Sequence, residues 1–185
     1  MRKIFLFMMV SLDGYFEGEN HDLSWHNVDA EFNDFAHKQN NGLDTILFGR
    51  RTYELMAGYW PTPEGMRDDT ETAKWMDTAR KVVASEPFTP VWNNTTVVSE
   101  DVIGKIAKLK QEAGTDIVLL GSNMLCVSLM EAGLIDEFRL MYNPVAIGKG
   151  TPLFAGLSKP FKFDLLHSRA FTSGNTLLTY AGKRV

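Results

Sequence analysis

The sequence predicts a single α/β domain on a mixed, mostly parallel sheet, and three observations carry that expectation. Strand-like apolar runs alternate with helix-patterned stretches through most of the 185 residues, the order of elements that builds parallel sheets. Two of those runs, Asp44-Thr45-Ile46-Leu47-Phe48-Gly49 and Asp116-Ile117-Val118-Leu119-Leu120-Gly121, share one plan. Each is an acidic residue, a strand of buried character and a glycine that opens onto a helical stretch. The tail, Phe161 to Val185, reads as two long strands joined through Thr172-Ser173-Gly174-Asn175, an antiparallel finish. No Pro-, Gly- or Ser-rich linker divides the chain, so residues 1–185 form one domain.

Taken in order, Lys3 to Ser11 is a buried strand, broken at Leu12-Asp13-Gly14 into a loop that runs to about Asn27. Asp29 caps a helix whose apolar face is Phe32, Phe35 and Ala36, at the spacing of a half-buried helix. The strand Thr45 to Phe48 leads into a helix from Arg50 to Tyr59, stopped by Trp60-Pro61-Thr62-Pro63. A weaker helix covers Thr70 to Ala79. Lys81 to Ser85 and Thr95 to Val98 are short β-branched strands around a Pro-containing loop. The helix Asp101 to Ala113 buries Ile103, Ile106, Ala107 and Leu109; the strand Ile117 to Leu120, a helix Asn123 to Ala132 ended by Gly133, and a strand Glu137 to Tyr142 follow.

Composition narrows the function. A net charge of -4 without a clustered basic face argues against nucleic acid and for small-molecule partners. The apolar run Ile4 to Val10 is too short for a membrane span or a signal-peptide core. A single cysteine, Cys126, excludes an internal disulfide, fits a reducing cytoplasm and lies in an apolar helical pattern, where it is a small hydrophobe. His21, His26, His37 and His167 lack paired ligand spacing, so no metal site is expected. Neither a G-x-S-x-G elbow nor a G-x-G-x-x-G or P-loop pattern occurs.

The two glycine turns remain as the chemistry-bearing features. A glycine at a strand end exposes the backbone N–H groups of the following helix, which suits a phosphate. Arg50 and Arg51 fall in a first helical turn, where the macrodipole disfavours cations unless an anion is bound; otherwise they are a solvated pair beside Thr52. Gly121-Ser122-Asn123 offers donors without basic side chains, and equally serves as a plain helix cap. Asp13 is either a catalytic acid or an Asx-turn residue, while Asp29 and Glu31 read as an N-cap and a solvated face.

With strand-Gly-Arg-Arg-Thr-Tyr-Glu (Gly49 to Glu54), Gly121-Ser122 and Gly133-Leu134-Ile135-Asp136-Glu137 in this order, the sequence resembles the dihydrofolate reductase-like family. It is most similar to the branch of the riboflavin-biosynthesis reductase domain, the RibD C-terminal domain. Ser11-Leu12-Asp13-Gly14 and Pro144-Val145 to Gly148-x-Gly150, then Leu153-Phe154, extend the resemblance over nearly the whole chain.

The resemblance implies a three-layer fold, NADPH as cofactor, a homodimer through the C-terminal strands, and hydride transfer to a small heterocycle. The implied reaction is that of the phosphoribosylaminouracil reductase of riboflavin biosynthesis, without the zinc deaminase domain, whose signature this chain lacks. A dihydrofolate reductase-like enzyme of another substrate, or a non-catalytic nucleotide sensor, are the alternatives. Carried over, Gly49, Arg50, Arg51 and Thr52 face the adenosine-side phosphates, Ser85 the adenosine ribose, and Gly121, Ser122, Asn123 and Met124 the pyrophosphate and nicotinamide. Asp13 is the implied substrate contact, and Glu31 the nearest analogue of the folate branch's proton donor. Glu86 stands where many relatives carry an arginine suited to a 2′-phosphate, which leaves NADH open as cofactor.

Overall fold

The apolar runs of the sequence become the middle of one eight-stranded sheet in the computed structural model, which describes residues 1–183. Along the chain come β1 (Ile4–Ser11), β2 (Tyr15–Gly18), α1 (Ala30–Asn40), β3 (Thr45–Gly49), α2 (Arg50–Ala57), α3 (Pro63–Asp68), α4 (Thr70–Thr78) and β4 (Arg80–Ala84). They are followed by β5 (Thr95–Val98), α5 (Val102–Leu109), β6 (Ile117–Leu119), α6 (Asn123–Glu131), β7 (Glu137–Asn143), β8 (Gly150–Pro152), β9 (Lys162–Ala170) and β10 (Thr176–Lys183). The sheet order is β5-β4-β3-β6-β1-β7-β10-β9, with β10 antiparallel to both β7 and β9 and the other pairings parallel.

Alternation along the strands sorts the core into layers. Ile4, Leu6, Leu47, Val82 and Leu119 pack with Ile106, Leu109 and Leu129 of α5 and α6. Their neighbours Phe5, Ile46, Phe48, Val83 and Val118 pack with Tyr53 of α2 and Met76 of α4. Helices therefore cover both faces, and β3 and β6 are buried along their whole length. That is why these strands read as unbroken apolar runs. Each such side chain contributes about 1.5–3 kcal/mol on burial.

The acids that open the two repeated motifs serve the opposite end of the sheet from the glycines. Asp44 accepts from the buried Arg2 guanidinium and from the Thr115 amide (3.0 Å), and Asp116 accepts from the Lys3 amide (2.9 Å). Asp136 likewise staples β1, accepting from the Ile4 amide at 2.8 Å and from Lys110 at 2.5 Å.

Several boundaries differ from expectation. The helix expected from Arg50 to Tyr59 is α2 and ends at Ala57, where Gly58 closes it, and Thr62-Pro63 begins α3 instead of a plain break. Thr62 caps Gly65 and Pro63 sits in the first turn, where its missing N–H costs nothing. Helix α5 ends at Leu109, four residues before Ala113. The segments around Gly18 and Gly150 pair as a small ribbon, β2 with β8. That pairing requires a glycine, because a Cβ on Gly150 would lie 2.1 Å from the Glu17 carbonyl oxygen. In the tail, β10 ends at Lys183, and the last two positions of the expected strand lie outside the described residues.

Candidate active site

β6 lies between β3 and β1, with Leu47 opposite Leu119, so the two glycine turns emerge side by side at the carboxyl edge of the sheet. In parallel α/β sheets that edge is where ligands bind. Gly49 donates its N–H to the Gly121 carbonyl at 2.8 Å. A Cβ on Gly49 would stand 2.5 Å from Ser122 Oγ, and one on Gly121, whose φ is +110°, would stand 2.9 Å from Thr52 Oγ1. The peptide between Gly121 and Ser122 is cis. The two turns thus touch, and each excludes a side chain at the other's glycine.

Helices α2 and α6 start at these turns. Asp29, Thr62, Asp69 and Asp101 cap α1, α3, α4 and α5 by side-chain hydrogen bonds. Gly49 and Ser122 make no such bond, although serine is a capping residue by type. The first-turn N–H groups of α2 and α6 therefore lack a side-chain cap where the positive ends of two helices come together.

The flanking side chains are held in place. Arg50 pairs with Glu54 at 2.7 Å, and its guanidinium lies 4.6 Å from the centre of the Phe88 ring. Arg51 reaches across to the ribbon, donating to Glu17 at 3.0 Å and contacting His21. Glu17 also accepts from Thr151 at 2.6 Å, so the arginine ties α2 to both ribbon strands. Asn123 donates weakly to the Ala155 carbonyl at 3.4 Å, and Met124 is largely exposed. Ser85 follows β4 beside this edge, its hydroxyl turned back to the Glu86 carbonyl at 2.8 Å.

The two acids implied by the resemblance, Asp13 and Glu31, each accept several hydrogen bonds from distant segments. Asp13 accepts from Ser11 Oγ at 2.7 Å and from the Gly148 and Ile147 amides at 2.7 and 3.2 Å. The Ser11 hydroxyl, with those amides, keeps its carboxyl below the usual range. It staples the end of β1 to the loop before β8. Glu31 accepts from the Thr172 amide and from Arg169, both at 2.8 Å, and clamps α1 to the β9–β10 turn. The Thr172 amide, then Arg169, hold its carboxyl below the usual range.

Beside the turns lies a cavity of about 340 Å³ between β1, α1, α4 and the end of α2. Phe7, Phe32, Trp60, Trp75 and Leu120 make its walls mainly apolar. Leu120 precedes Gly121, and Met8, another wall residue, has its Cε 3.5 Å from where a Gly121 Cβ would be. The cavity therefore opens next to the second turn. Sequence reasoning did not assemble it, because its walls come from five separated stretches of chain, residues 7–9, 23–40, 56–60, 68–76 and Leu120; the aromatic residues around Trp60 and Trp75 were the available signal.

His26 lines this cavity, its Nε2 buried without a hydrogen-bond partner among the described residues. Burial pushes its pKa down from 6.5 to about 4, with Asp22 opposing. The folded protein thus binds this proton less readily than the unfolded chain, so stability present above pH 6.5 is lost as pH falls toward 4. We expect a loss of up to about 3 kcal/mol from this residue over that window. Urea melts at neutral pH and at pH 4 should show a smaller loss in His26→Phe than in the native protein; equal losses would refute this.

A mixed sheet with two touching glycine turns at its carboxyl edge, beside an apolar cavity, defines a dihydrofolate reductase-like α/β protein. Dihydrofolate reductase from Enterococcus faecalis, solved with NADP(H), superposes with a TM-score of 0.67 over 98% of this chain and 97% of that one, at 15% identity. The chain belongs to the RibD C-terminal domain family, whose model matches residues 2–177. It is 33% identical over 181 residues to the uncharacterized protein YyaP of Bacillus subtilis (strain 168), covering 97% of this chain and 94% of that protein. A Thermotoga maritima diaminohydroxyphosphoribosylaminopyrimidine deaminase/5-amino-6-(5-phosphoribosylamino)uracil reductase shares the fold at a TM-score of 0.68 and 16% identity. That match covers 98% of this chain and 57% of the longer protein. Among the described residues no helix is long and apolar enough to cross a membrane, and no cluster of three or more His, Cys, Asp or Glu is arranged to hold a metal.

Proposed function

We propose that the protein is a nicotinamide-dinucleotide-dependent reductase that transfers hydride to a small heterocyclic substrate. The observation that carries this is the meeting of two helix N-termini without side-chain caps at Gly49 and Gly121, next to the cavity. The donor set fits a dinucleotide: backbone N–H groups of α2 and α6 for the pyrophosphate, and Arg50, Arg51 and Thr52 on the adenosine side. Ser122, Asn123 and Met124 lead toward the nicotinamide, and Ser85 with Glu86 flanks the ribose. The bound cofactor supplies the hydride. The protein positions the acceptor against it and excludes water, a task suited to the apolar walls of Phe7, Phe32, Trp60, Trp75 and Leu120. The Enterococcus protein solved with NADP(H) and the Thermotoga reductase share this fold, which supports the reductase reading. Asp13 contributes by fixing the loop before β8.

We further assign NADPH as cofactor, the cytoplasm as its compartment and a homodimer as the working form. Two cationic heads at α2 favour the additional phosphate, and Glu86 opposes it. For the dimer, β9 is an edge strand bearing Leu165 and Leu166, each 57% exposed, whereas Phe161 and Phe163 turn inward against Phe138.

The test is the double variant Arg50→Ala/Arg51→Ala, titrated with NADPH and NADH by tryptophan fluorescence. NADPH affinity should fall at least about tenfold, the scale of one charge-assisted hydrogen bond. Loss for NADH should be smaller. Thermal stability should change little, because both arginine heads are about half-exposed, at 47% and 55%. Unchanged affinity for both cofactors would remove the arginines from the site.

A further inference from the structure

The two arginines in the first turn of α2 are held by carboxylates of unequal grip. Arg50 pairs with Glu54 one turn along the same helix, and both side chains are about half-exposed, at 47% and 52%. Such a pair is weak, because water and salt screen it and two mobile chains must be ordered to make it. Arg51 instead meets Glu17, whose side chain is only 10% exposed. A carboxylate so placed finds little water when its guanidinium leaves, so it holds its partner more firmly.

The atoms of Arg51 sharpen the contrast. Its Nη2 donates to both Glu17 carboxylate oxygens, at 3.0 and 3.3 Å, and also contacts the His21 ring. Nη2 is the nitrogen common to both edges through which a guanidinium grips an oxyanion with two parallel N–H bonds. A phosphate on either edge must take Nη2 from Glu17 or share it, and sharing sets two anions on one nitrogen. Glu17 cannot follow the arginine outward. It stands opposite Thr151 in the ribbon, accepts from the Thr151 hydroxyl at 2.6 Å, and has its carbonyl oxygen 2.1 Å from where a Gly150 Cβ would be.

Resting on the reductase reading above, we propose that Glu17 sets cofactor affinity by competing with a phosphate of the nicotinamide dinucleotide for the Arg51 guanidinium. Removing its charge frees Arg51 for the phosphate, and α2 keeps the arginine within reach. Thr151 moderates the competition, because its hydroxyl satisfies part of the carboxylate. Glu54 takes no comparable part, since its exposed pair with Arg50 is readily exchanged. The 2′-phosphate and the pyrophosphate both carry the required oxyanion; competition for the first disfavours NADPH alone, and competition for the second weakens both cofactors.

Fluorescence titration of Glu17→Gln with NADPH and NADH tests the assignment. The amide keeps the shape and removes the charge, so NADPH should bind about fivefold more tightly than to the native protein, the scale of one partly exposed charge-assisted hydrogen bond. A gain confined to NADPH assigns the 2′-phosphate, and an equal gain for NADH assigns the pyrophosphate. Glu54→Gln should move either affinity by less than about twofold. Thr151→Val, which removes the other donor to Glu17, should weaken binding about threefold; a ribbon that was merely loosened would move both variants the same way. Both effects should vanish in an Arg51→Ala background. Unchanged or weaker NADPH binding in Glu17→Gln, or a gain that survives in Arg51→Ala, would overturn the proposal. Where thermal melts show Glu17→Gln unfolded, Thr151→Val decides alone: affinity unchanged, or lowered equally with and without Arg51, overturns it. Absence of binding of either cofactor to the native protein overturns the reductase reading itself.

Discussion

Gly121→Ala is expected to weaken NADPH binding by at least about tenfold, roughly 1.4 kcal/mol, while leaving a folded protein. The residue has a φ of +110°, which L side chains seldom adopt, and its new Cβ would lie 2.9 Å from Thr52 Oγ1. Strain of this kind costs of order 1–3 kcal/mol. Relief requires the turn to move away from Thr52, and that movement carries the first N–H groups of α6 out of line with those of α2. Gly42→Ala separates strain from position. Gly42 also has positive φ, +83°, with open space around it, and it follows α1 far from the turn pair. Its substitution should lower stability and leave cofactor affinity intact. Equal NADPH affinity in Gly121→Ala and the native protein, by fluorescence titration, would show that the turn does not hold the cofactor.

Lys81→Met is expected to produce the largest loss of stability, about 2–4 kcal/mol, the range for breaking a buried charged network. Lys81 is fully buried in β4, and its Nζ donates to the Met76, Asp77 and Ala79 carbonyls at 2.6, 3.0 and 2.9 Å. These are end carbonyls of α4, left without helical partners. The ammonium also lies 4.5 Å from the Trp92 ring centre, and the Trp92 amide donates to the Tyr53 hydroxyl at 2.9 Å. One side chain thereby closes α4, seats the loop before β5 and connects both to α2. Methionine fills similar volume but leaves three carbonyls unpaired. Urea denaturation should show the midpoint falling with little change in slope; a midpoint shift below about 0.5 kcal/mol equivalent would contradict the account.

Much of the fold was legible because its strongest signals are local. The runs Ile46 to Phe48 and Ile117 to Leu119 are apolar at every position because helices cover both faces, and their terminal glycines mark the turns that touch. The Asp29 cap and the turn at Gly174 were equally readable, since capping and positive φ are properties of a few adjacent residues. Pro63 reads as a stop because proline at a helix start resembles proline after a helix end; Thr62, the cap of α3, is the deciding neighbour. The β2–β8 ribbon left no trace because each strand is short and its partner lies far along the chain.

The site divided in the same way. Gly49 and Gly121 carry backbone requirements visible in sequence, whereas the roles of Asp13 and Glu31 depend on amides of Gly148 and Thr172, contributed by distant segments. An acidic residue in sequence does not reveal whether its lone pairs are already occupied. The cavity depends on Trp60, Trp75, His26 and Leu120 converging from separate elements, which no periodicity in the chain encodes.

The central claim, that two helix N-termini without side-chain caps form one dinucleotide site, is tested most directly by a crystal structure of the protein with NADP+. The account predicts pyrophosphate oxygens within hydrogen-bond distance of backbone N–H groups in the first turns of both α2 and α6, and the nicotinamide ring beside Leu120 at the cavity mouth. A pyrophosphate seated elsewhere, or crystals free of NADP+ after saturating soaks and co-crystallisation, would contradict it.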